Sequence, residues 1–468
     1  MRNVPISAPH AIGTILIIAV SGFLAGFDGS LFTGAVYFVK GEFALDEFQT
    51  GWAVSAQVLT ATIAIFLAGP IADRIGRRTT LRIAAIVFAA SAIVACAANG
   101  LPMLIVARLL SGLGIGAVLV AAPMYIAELS SPALRGRMVT VNQLFLVVGI
   151  FLASASNLLI VRMGSFHSDW LTRLNLGSNW RWMLGIGVFP AVAYLFALLF
   201  VPESPRWHAM HGRLDAARRI LARAHGAALA ERELAEVCAS LAHDAGKEAA
   251  RLRDLWAPEL RSVLFIGLVV GVLQQITGIN SLMAYATMIF AGIGAEGAGI
   301  EASFFQTTLL TLVNVVFTVI ALLLIDRVGR RPLLIVGTAG IACCLFAAAW
   351  GFQASGGNAN SVWVLCGLLG FVACFALSLG PVMWVLFSEI FPNRVRALAI
   401  SCVGLVNSTV CFFAQQVFPW QMQHMGGART FLIYGMFAVL GVAVLIRILP
   451  ETRGRSLEEL EESLVRHS

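Results

Sequence analysis

The sequence Asp73-Arg74-Ile75-Gly76-Arg77-Arg78 lies between two apolar stretches, and it recurs 253 residues later as Asp326-Arg327-Val328-Gly329-Arg330-Arg331. The glycine permits a tight reversal between two helices, and the flanking charges can form charge-assisted pairs with a neighbouring helix end. Two further pieces recur at similar offsets: Glu128 with Arg135 as Glu389 with Arg396, and Pro202-Glu203-Ser204 as Pro450-Glu451-Thr452. The matches indicate an internal repeat, so we predict a chain of two similar halves.

The composition excludes a soluble protein of this length. Of the 468 residues, 59% are apolar and 12% are charged, and the mean hydropathy is +0.85. An average soluble domain has about 45–50% apolar and about 25% charged residues, so these charges are too few to cover globular surfaces. The same numbers exclude a disordered chain, and the 8 Cys do not indicate a secreted disulfide scaffold. A polytopic membrane protein remains.

Twelve apolar stretches are long enough to cross a bilayer, which takes about 20 residues of helix. They lie at 11–39, 50–72, 80–98, 102–126, 138–162, 181–201, 260–291, 303–325, 332–353, 361–388, 396–420 and 429–449. We predict an all-α membrane protein with two six-helix pseudo-symmetric bundles, formed by residues 1–201 and 259–449. Residues 202–258 are predicted to form a cytoplasmic linker of short amphipathic helices, and residues 450–468 a cytoplasmic tail.

The arginine distribution predicts the orientation. The loops after the second, fourth, eighth and tenth spans carry Arg74, Arg77, Arg78, Arg82, Arg135, Arg137, Arg327, Arg330, Arg331, Arg394 and Arg396. The first loop is acidic, with Glu42, Asp46 and Glu47. Because positively charged loops stay in the cytoplasm, both termini are predicted to be cytoplasmic. The excess of Arg over Lys favours a bacterial source and hence the inner membrane.

The charges also define a candidate gate and exclude one class of partner. The net charge of +7 is distributed among short loops and forms no continuous basic face, so no nucleic acid is expected as a partner. We predict ion pairs that close the cytoplasmic side among Asp73, Arg77, Arg78, Glu128, Arg135, Glu203, Asp326, Arg330, Arg331, Glu389 and Arg396. The alternative is that these charges only set the topology.

Amide side chains inside the predicted spans define a candidate binding site. An amide both donates and accepts hydrogen bonds without a charge, which suits a polyhydroxylated ligand, and it is costly in lipid unless it is satisfied. The spans contain Gln143, Gln274, Gln275, Asn280, Asn314 and Asn407. Each could instead form an interhelical hydrogen bond. Six together, mostly in the second half, favour a shared polar cavity.

The repeated motif resembles the major facilitator superfamily, and other motifs resemble its sugar porter branch. The second group comprises Pro123-Met124-Tyr125-Ile126-Ala127-Glu128 with Arg135-Gly136-Arg137, Pro202-Glu203-Ser204-Pro205-Arg206-Trp207, Gln274-Gln275-Ile276-Thr277-Gly278-Ile279-Asn280 and Pro450-Glu451-Thr452-Arg453-Gly454. The resemblance covers essentially the whole chain. It implies alternating access by rocking of two halves without ATP, and a sugar site lined by the six amides and Trp384. Trp384 follows Gly380-Pro381, which predicts a helix break.

Departures from the sugar porter pattern leave the substrate open. Ser408 stands where many relatives have an aromatic residue, and Ala284 precedes Tyr285 where two Tyr are frequent. Ile150 stands where some proton-coupled relatives have a second Gln. The cavity is therefore expected to be wider or smoother than a glucose site. Pentoses, inositols and other polyols remain candidates.

Asp28 is a carboxylate in the middle of the first span, where a charge costs about 2.5–3.5 kcal/mol on insertion scales. Arg108 in the fourth span is its candidate partner. The position of Asp28 resembles that of the proton-binding Asp of sugar/proton symporters. We therefore predict that Asp28 and Arg108 couple sugar uptake to proton entry, the alternative being a static structural pair.

The sequence thus predicts a secondary transporter that takes up a monosaccharide or related polyol by proton symport. An uncoupled sugar or inositol uniporter is the alternative within the same class, and a transporter-like sugar sensor is a remote one. The expected partners are the sugar or polyol, protons and the lipid bilayer, and a monomer is expected. The scattered Cys and His residues show no metal spacing, so neither a cofactor nor a metal is expected, and no catalytic constellation indicates an enzyme.

Overall fold

The computed structural model describes residues 9–130, 135–164, 177–245, 252–293, 299–353, 361–392 and 395–449. Within these ranges the regular elements are helices, and no strand is present. Before the linker they are α1 (Pro9–Glu42), α2 (Glu47–Ile75), α3 (Arg77–Cys96), α4 (Leu101–Leu129), α5 (Arg135–Arg162), α6 (Asn179–Gly185) and α7 (Val188–Ala197). The predicted tail, residues 450–468, lies outside the described residues.

The described part of the second half is also helical. Its helices are α11 (Pro258–Ile276), α12 (Ile279–Ile293), α13 (Ile300–Val328), α14 (Arg330–Gln353), α15 (Ser361–Leu377), α16 (Pro381–Ile390), α17 (Arg396–His424) and α18 (Gly426–Ile448). Within the described ranges, twelve helical segments are long and apolar enough to cross a membrane. Each of them overlaps one predicted span, so the all-helical, twelve-span prediction is confirmed.

Three of the twelve spans are interrupted helices. Gly380 and Pro381 separate α15 from α16, as the sequence predicts. The other two breaks are absent from the prediction: α6 gives way to α7 at Ile186 and Gly187, and α11 to α12 at Thr277 and Gly278. Interrupted helices in membranes occur where the backbone is buried in protein or lines a cavity, so these breaks point to the interior of the molecule.

The linker folds into three helices, α8 (Pro205–Met210), α9 (Leu214–His225) and α10 (Ala227–Ala245), followed by a 3-10 helix (Leu252–Trp256). Ser204 caps α8, because its Oγ accepts a hydrogen bond from the backbone N–H of Trp207 at 3.3 Å. The buried face of α9 and α10 consists of Ala217, Leu221, Ala230 and Leu234. The described part of this interval is thus helical, and its assignment as a cytoplasmic linker stays a prediction.

The chain packs as two compact units. Unit 1 comprises Met1–Leu31, Leu59–Ala153 and Ser165–Ala249, and unit 2 comprises Phe32–Val58, Ser154–Gly164 and Ala250–Ser468. The ends of α1, α2 and α5 are thus grouped with the helices of the second half. The boundaries of the six-helix bundles, as derived from the sequence repeat, stay a prediction.

Within unit 1, glycines bring α1 against α5 at backbone distance. A Cβ added to Gly26 would lie 2.0 Å from the carbonyl oxygen of Leu146, and one added to Gly22 would lie 2.3 Å from that of Asn142. Gly149 on α5 meets the carbonyl of Phe23 in the same way, at 2.3 Å. Small residues allow such close helix packing in membranes. The contact fixes the part of α1 that carries Asp28.

Within unit 2, the last turns of α1, the start of α2 and the end of α5 are tied to helices of the second half. Ser55 donates to Oε1 of Gln416 at 2.8 Å, and Nε2 of Gln416 donates to the carbonyl of Phe48 at 3.0 Å. An exposed ion pair joins Arg162 to Glu301 at 2.5 Å. Two hydrogen bonds and an ion pair therefore hold these segments against the helices of the second half.

Candidate functional site

The break between α11 and α12 positions the amide cluster of unit 2. Gly278 adopts a left-handed conformation with φ 84°, and a Cβ at this position would lie 2.4 Å from the ring of Tyr434. Glycine is therefore required by both the backbone and the packing. The break leaves Gln274 and Gln275 in the last turn of α11 and Asn280 in the first turn of α12.

Four of the six predicted amides form one hydrogen-bonded network in unit 2. Nε2 of Gln275 donates to Oε1 of Gln274 at 3.2 Å and to Oδ1 of Asn407 at 3.1 Å. Nδ2 of Asn407 donates to Oε1 of Gln274 at 2.8 Å, and Nδ2 of Asn280 donates to Oε1 of Gln275 at 2.8 Å. Each amide thus holds its neighbour in a defined orientation.

Backbone groups anchor the network at two points. Nδ2 of Asn407 also donates to the carbonyl of Gly271 at 2.8 Å, and Nε2 of Gln274 donates to the carbonyl of Leu379 at 3.1 Å. Leu379 lies in the interruption between α15 and α16, so the predicted break provides a backbone acceptor for the amide network. Gln274, Gln275 and Asn407 are buried. The sequence did not indicate the role of the Leu379 carbonyl, because backbone groups carry no signal in the side-chain pattern.

The remaining predicted sugar residues lie outside this network. Trp384, on α16, is 47% exposed, and its ring meets Phe387 edge to face at 5.9 Å. Asn314 is partly buried on α13, and Gln143 is exposed on α5 in unit 1. A large aromatic face open to a ligand is suited to stacking on the apolar face of a sugar. These three residues stay predictions as ligand contacts.

The predicted proton site of unit 1 contains an additional residue. Asp28 is partly buried on α1, and the hydroxyl of Ser111 on α4 donates a hydrogen bond to its Oδ2. Arg108 is buried three residues before Ser111 on the same helix, and its charge acts on Asp28. The i, i+3 spacing puts both side chains on one face of α4. That spacing could have identified Ser111 once Arg108 was chosen.

The repeated charges of unit 1 form a connected cluster at the turn between α2 and α3. Arg77 pairs with Asp73 at 2.7 Å and with Glu128 at 3.0 Å, and Ser204 donates to the other oxygen of Glu128. Glu203 accepts from the backbone N–H of Arg78 at 2.9 Å. The turn itself depends on Gly76, whose φ is 99°. The cluster ties the turn to α4 and to the start of the linker.

Unit 2 repeats this geometry. Arg330 pairs with Glu389 at 2.8 Å, and Gly329 has φ 102°. Arg331 donates to the carbonyl of Ile446 at 2.9 Å, and Arg396 donates from Nε to the carbonyl of Phe391 at 3.0 Å. The side chains of Arg135 and Asp326 are not among those described. In both units, these ion pairs join elements of the same unit.

The fold and these two sites define the class of protein. The chain matches the family model of sugar (and other) transporters over residues 14–464. It therefore belongs to the sugar porter family of the major facilitator superfamily, a family of transporters rather than enzymes, and it is a multi-pass membrane protein.

Curated relatives and solved structures agree with this assignment. The chain is 35% identical to the arabinose-proton symporter of Bacillus subtilis (strain 168), over 98% of this chain and 97% of that protein. It is 30% identical to the D-xylose-proton symporter of Escherichia coli (strain K12), over 98% and 96%. The inward open conformation of the xylose transporter from E. coli superposes with a TM-score of 0.81 at 30% identity, over 97% of this chain and 99% of that one.

Proposed function

We propose that this chain takes up a monosaccharide or related polyol by proton symport. The observation that carries the proposal is the amide network of Gln274, Gln275, Asn280 and Asn407, a neutral array that both donates and accepts. Membership of a family whose relatives include arabinose- and xylose-proton symporters supports it. Pentoses are therefore the first substrates to test, and the chain is not an enzyme.

The network supports sugar binding because its hydrogen bonds can be exchanged at little cost. Its amide donors are shared among amide oxygens, so a sugar hydroxyl that replaces one contact leaves no buried group unsatisfied. The proposed site comprises these four amides with Gln143, Asn314 and Trp384. Trp384 would stack on the sugar ring, and the others would contact its hydroxyls. A ligand with several hydroxyls can replace several of these contacts between amides at once. The site therefore prefers polyols.

Proton coupling is assigned to Asp28 and Arg108. Asp28 takes a proton from outside and releases it inside, and Arg108 favours the ionised form when the two groups are close. The inward proton gradient supplies about 2.3 kcal/mol per charge per 100 mV, and one pH unit adds about 1.4 kcal/mol. Rocking of two six-helix halves about the site provides the alternating access that this family membership implies.

The proposal includes orientation and assembly. We propose that both termini and the linker lie in the cytoplasm, because arginine-rich loops favour that side, and that the protein acts as a monomer in the inner membrane of a bacterium. The intra-unit ion pairs of Arg77 with Glu128 and of Arg330 with Glu389 then lie on the cytoplasmic side. They stiffen the turns that move when this side opens and closes, together with the other predicted gate charges.

Uptake into proteoliposomes tests the proposal. Labelled arabinose, xylose, glucose and myo-inositol are compared with and without a pH gradient, at a membrane potential clamped to zero. A gradient of about one unit supports up to about tenfold accumulation for one proton per sugar. Asp28→Asn should abolish accumulation and leave exchange intact, whereas Asp215→Asn, at an exposed position of α9, should behave as wild type.

A separate variant tests the amide network. Gln275→Leu should lower sugar affinity at least tenfold, because it removes three network contacts, and Gln353→Leu, at the exposed end of α14, should not. Uptake without dependence on the gradient would favour the uncoupled uniporter. Absence of uptake for every sugar would contradict the proposed function and leave the remote sensor.

A further inference from the structure

Ser111 is a polar contact of Asp28 that the coupling scheme so far leaves out. Its hydroxyl lies on α4, one turn after Arg108, and donates to Oδ2 of Asp28 on α1. Ser111 is itself buried. A serine inside a helix can bond a carbonyl of its own helix, and the hydroxyl of Ser111 reaches across to a different helix.

Burial and the groups of α4 set the charge of Asp28. Among the described residues, the charged group acting on Asp28 is Arg108. Helix α5 packs against α1 next to this position, and it presents the backbone of Leu146 and Ile150 to Gly26. Besides its burial, the proton affinity of Asp28 therefore depends on one guanidinium and one hydroxyl, both from the same face of α4.

Arg108 and Ser111 both favour the ionised form of Asp28, but they act over different distances. The charge of Arg108 acts over several ångströms, whereas the hydroxyl of Ser111 acts only while the hydrogen bond is made. A hydrogen bond donated to a carboxylate favours its ionised form. Any displacement of α1 against α4 would break the hydrogen bond first, and Asp28 would then bind a proton more readily.

We infer that Ser111 is a positioning residue that sets the pH at which Asp28 exchanges its proton. The effect of Ser111 on the protonation of Asp28 does not depend on the proposed function. Only its consequence for transport rests on that function. Loss of the hydroxyl shifts the protonation midpoint of Asp28 upward by about one pH unit, the size expected for one hydrogen bond to a charged group. The proton is then released more slowly on the inside.

Labelling with dicyclohexylcarbodiimide tests this directly, because this lipophilic reagent attacks protonated carboxyl groups. Modification of Asp28 in the purified full chain is followed by mass spectrometry across a pH series. Ser111→Ala is expected to raise the midpoint by about one unit, and Ser111→Thr, which keeps the hydroxyl, to restore it. Ser91→Ala is the matched control, since the buried hydroxyl of Ser91 donates to the carbonyl of Ala107 and not to Asp28.

The outcomes separate this inference from the proposed function. An unchanged or lowered midpoint in Ser111→Ala, an equal shift in Ser91→Ala, or no labelling of Asp28 in the wild type would overturn the role of Ser111. Gradient-driven uptake that persists in Asp28→Asn would overturn the coupling role of Asp28 instead, while a midpoint shift in Ser111→Ala would still establish the positioning role. The pH at which uptake is half-maximal should shift in the same direction as the midpoint of Asp28 labelling.

Discussion

Replacement of Glu128 by Gln should destabilise unit 1 measurably. Oε1 of Glu128 accepts from Nε and Nη2 of Arg77 at 3.2 and 3.0 Å, and Oε2 accepts from Ser204. The side chains of Arg77 and Glu128 are only 2% and 11% exposed. Hydrogen bonds to charged groups contribute about 1.5–3 kcal/mol each. Because glutamine keeps the shape and Asp73 still pairs with Arg77, we expect a loss of about 2–3 kcal/mol.

The internal repeat supplies a matched variant, Glu389→Gln. Oε1 of Glu389 accepts from Nε and Nη2 of Arg330 at 3.1 and 2.8 Å, which is nearly the same geometry. The side chains are 12% and 26% exposed, however, so water screens this pair more effectively. We expect a loss of about 1 kcal/mol, close to the upper range for exposed pairs. The greater burial of the Glu128 pair and the additional hydrogen bond from Ser204, rather than the geometry of the arginine contacts, then decide the difference.

A thiol-reactive dye measures both losses during thermal unfolding, because the eight cysteines are free and Cys411 is buried. The melting temperature should fall more for Glu128→Gln than for Glu389→Gln, by roughly 1 °C per kcal/mol for a chain of this length. Glu236→Gln, at an exposed position of α10, serves as the control and should leave the melting temperature unchanged. Equal shifts for the two glutamates, or a larger one for Glu389→Gln, would refute the argument from burial.

Three further outcomes are expected. Gly278→Ala should lower sugar uptake at least tenfold, because a left-handed conformation costs a non-glycine residue about 1–2 kcal/mol and a ring occupies the Cβ position; Gly404→Ala, with open space around it, should retain uptake. Gln416→Leu should lower the melting temperature by about 1–2 °C through two lost hydrogen bonds in unit 2, and an unchanged temperature would contradict their contribution. Arg162→Gln should leave it within about 1 °C, since the pair with Glu301 is exposed.

The spans were predictable because length and hydropathy decide them. The second predicted span, 50–72, is the helix Glu47–Ile75, which extends beyond the apolar window into charged turns. The break at Gly380-Pro381 was predictable as well, because a proline directly after a glycine lacks the backbone N–H and favours the first position of a new helix. The break at Gly278 was not, since an isolated glycine in an apolar run is compatible with a continuous helix. Its positive φ and the ring of Tyr434 at its Cβ position are features of the folded chain, and the local sequence does not encode them.

The sequence was sufficient to predict which residues belong to the candidate sites, but not which of them contact each other. The amides were chosen because polar groups are costly in lipid, and four of them do meet in unit 2. Which of them bond to each other depends on the angle between α11, α12 and α17, which no local pattern encodes. The spacing from Arg108 puts Ser111 on the same face of α4, but it does not give the partner of the hydroxyl. Its contact with Asp28 crosses from α4 to α1, whereas helical periodicity describes one helix at a time.

The arginines of the two repeated turns have a consequence for a protein that works across a proton gradient. Arg77 and Arg330 each bridge a glutamate to a helix-end carbonyl, of Ala72 at 3.1 Å and of Ile325 at 3.3 Å. Only a planar, forked cation reaches both acceptors at once, and a guanidinium does not give up its proton in proteins. Both arginines, which are predicted to lie on the cytoplasmic side, therefore keep their positive charge whatever the local acidity. A change in acidity can then alter the charge of Asp28 while the charges of these two arginines stay fixed.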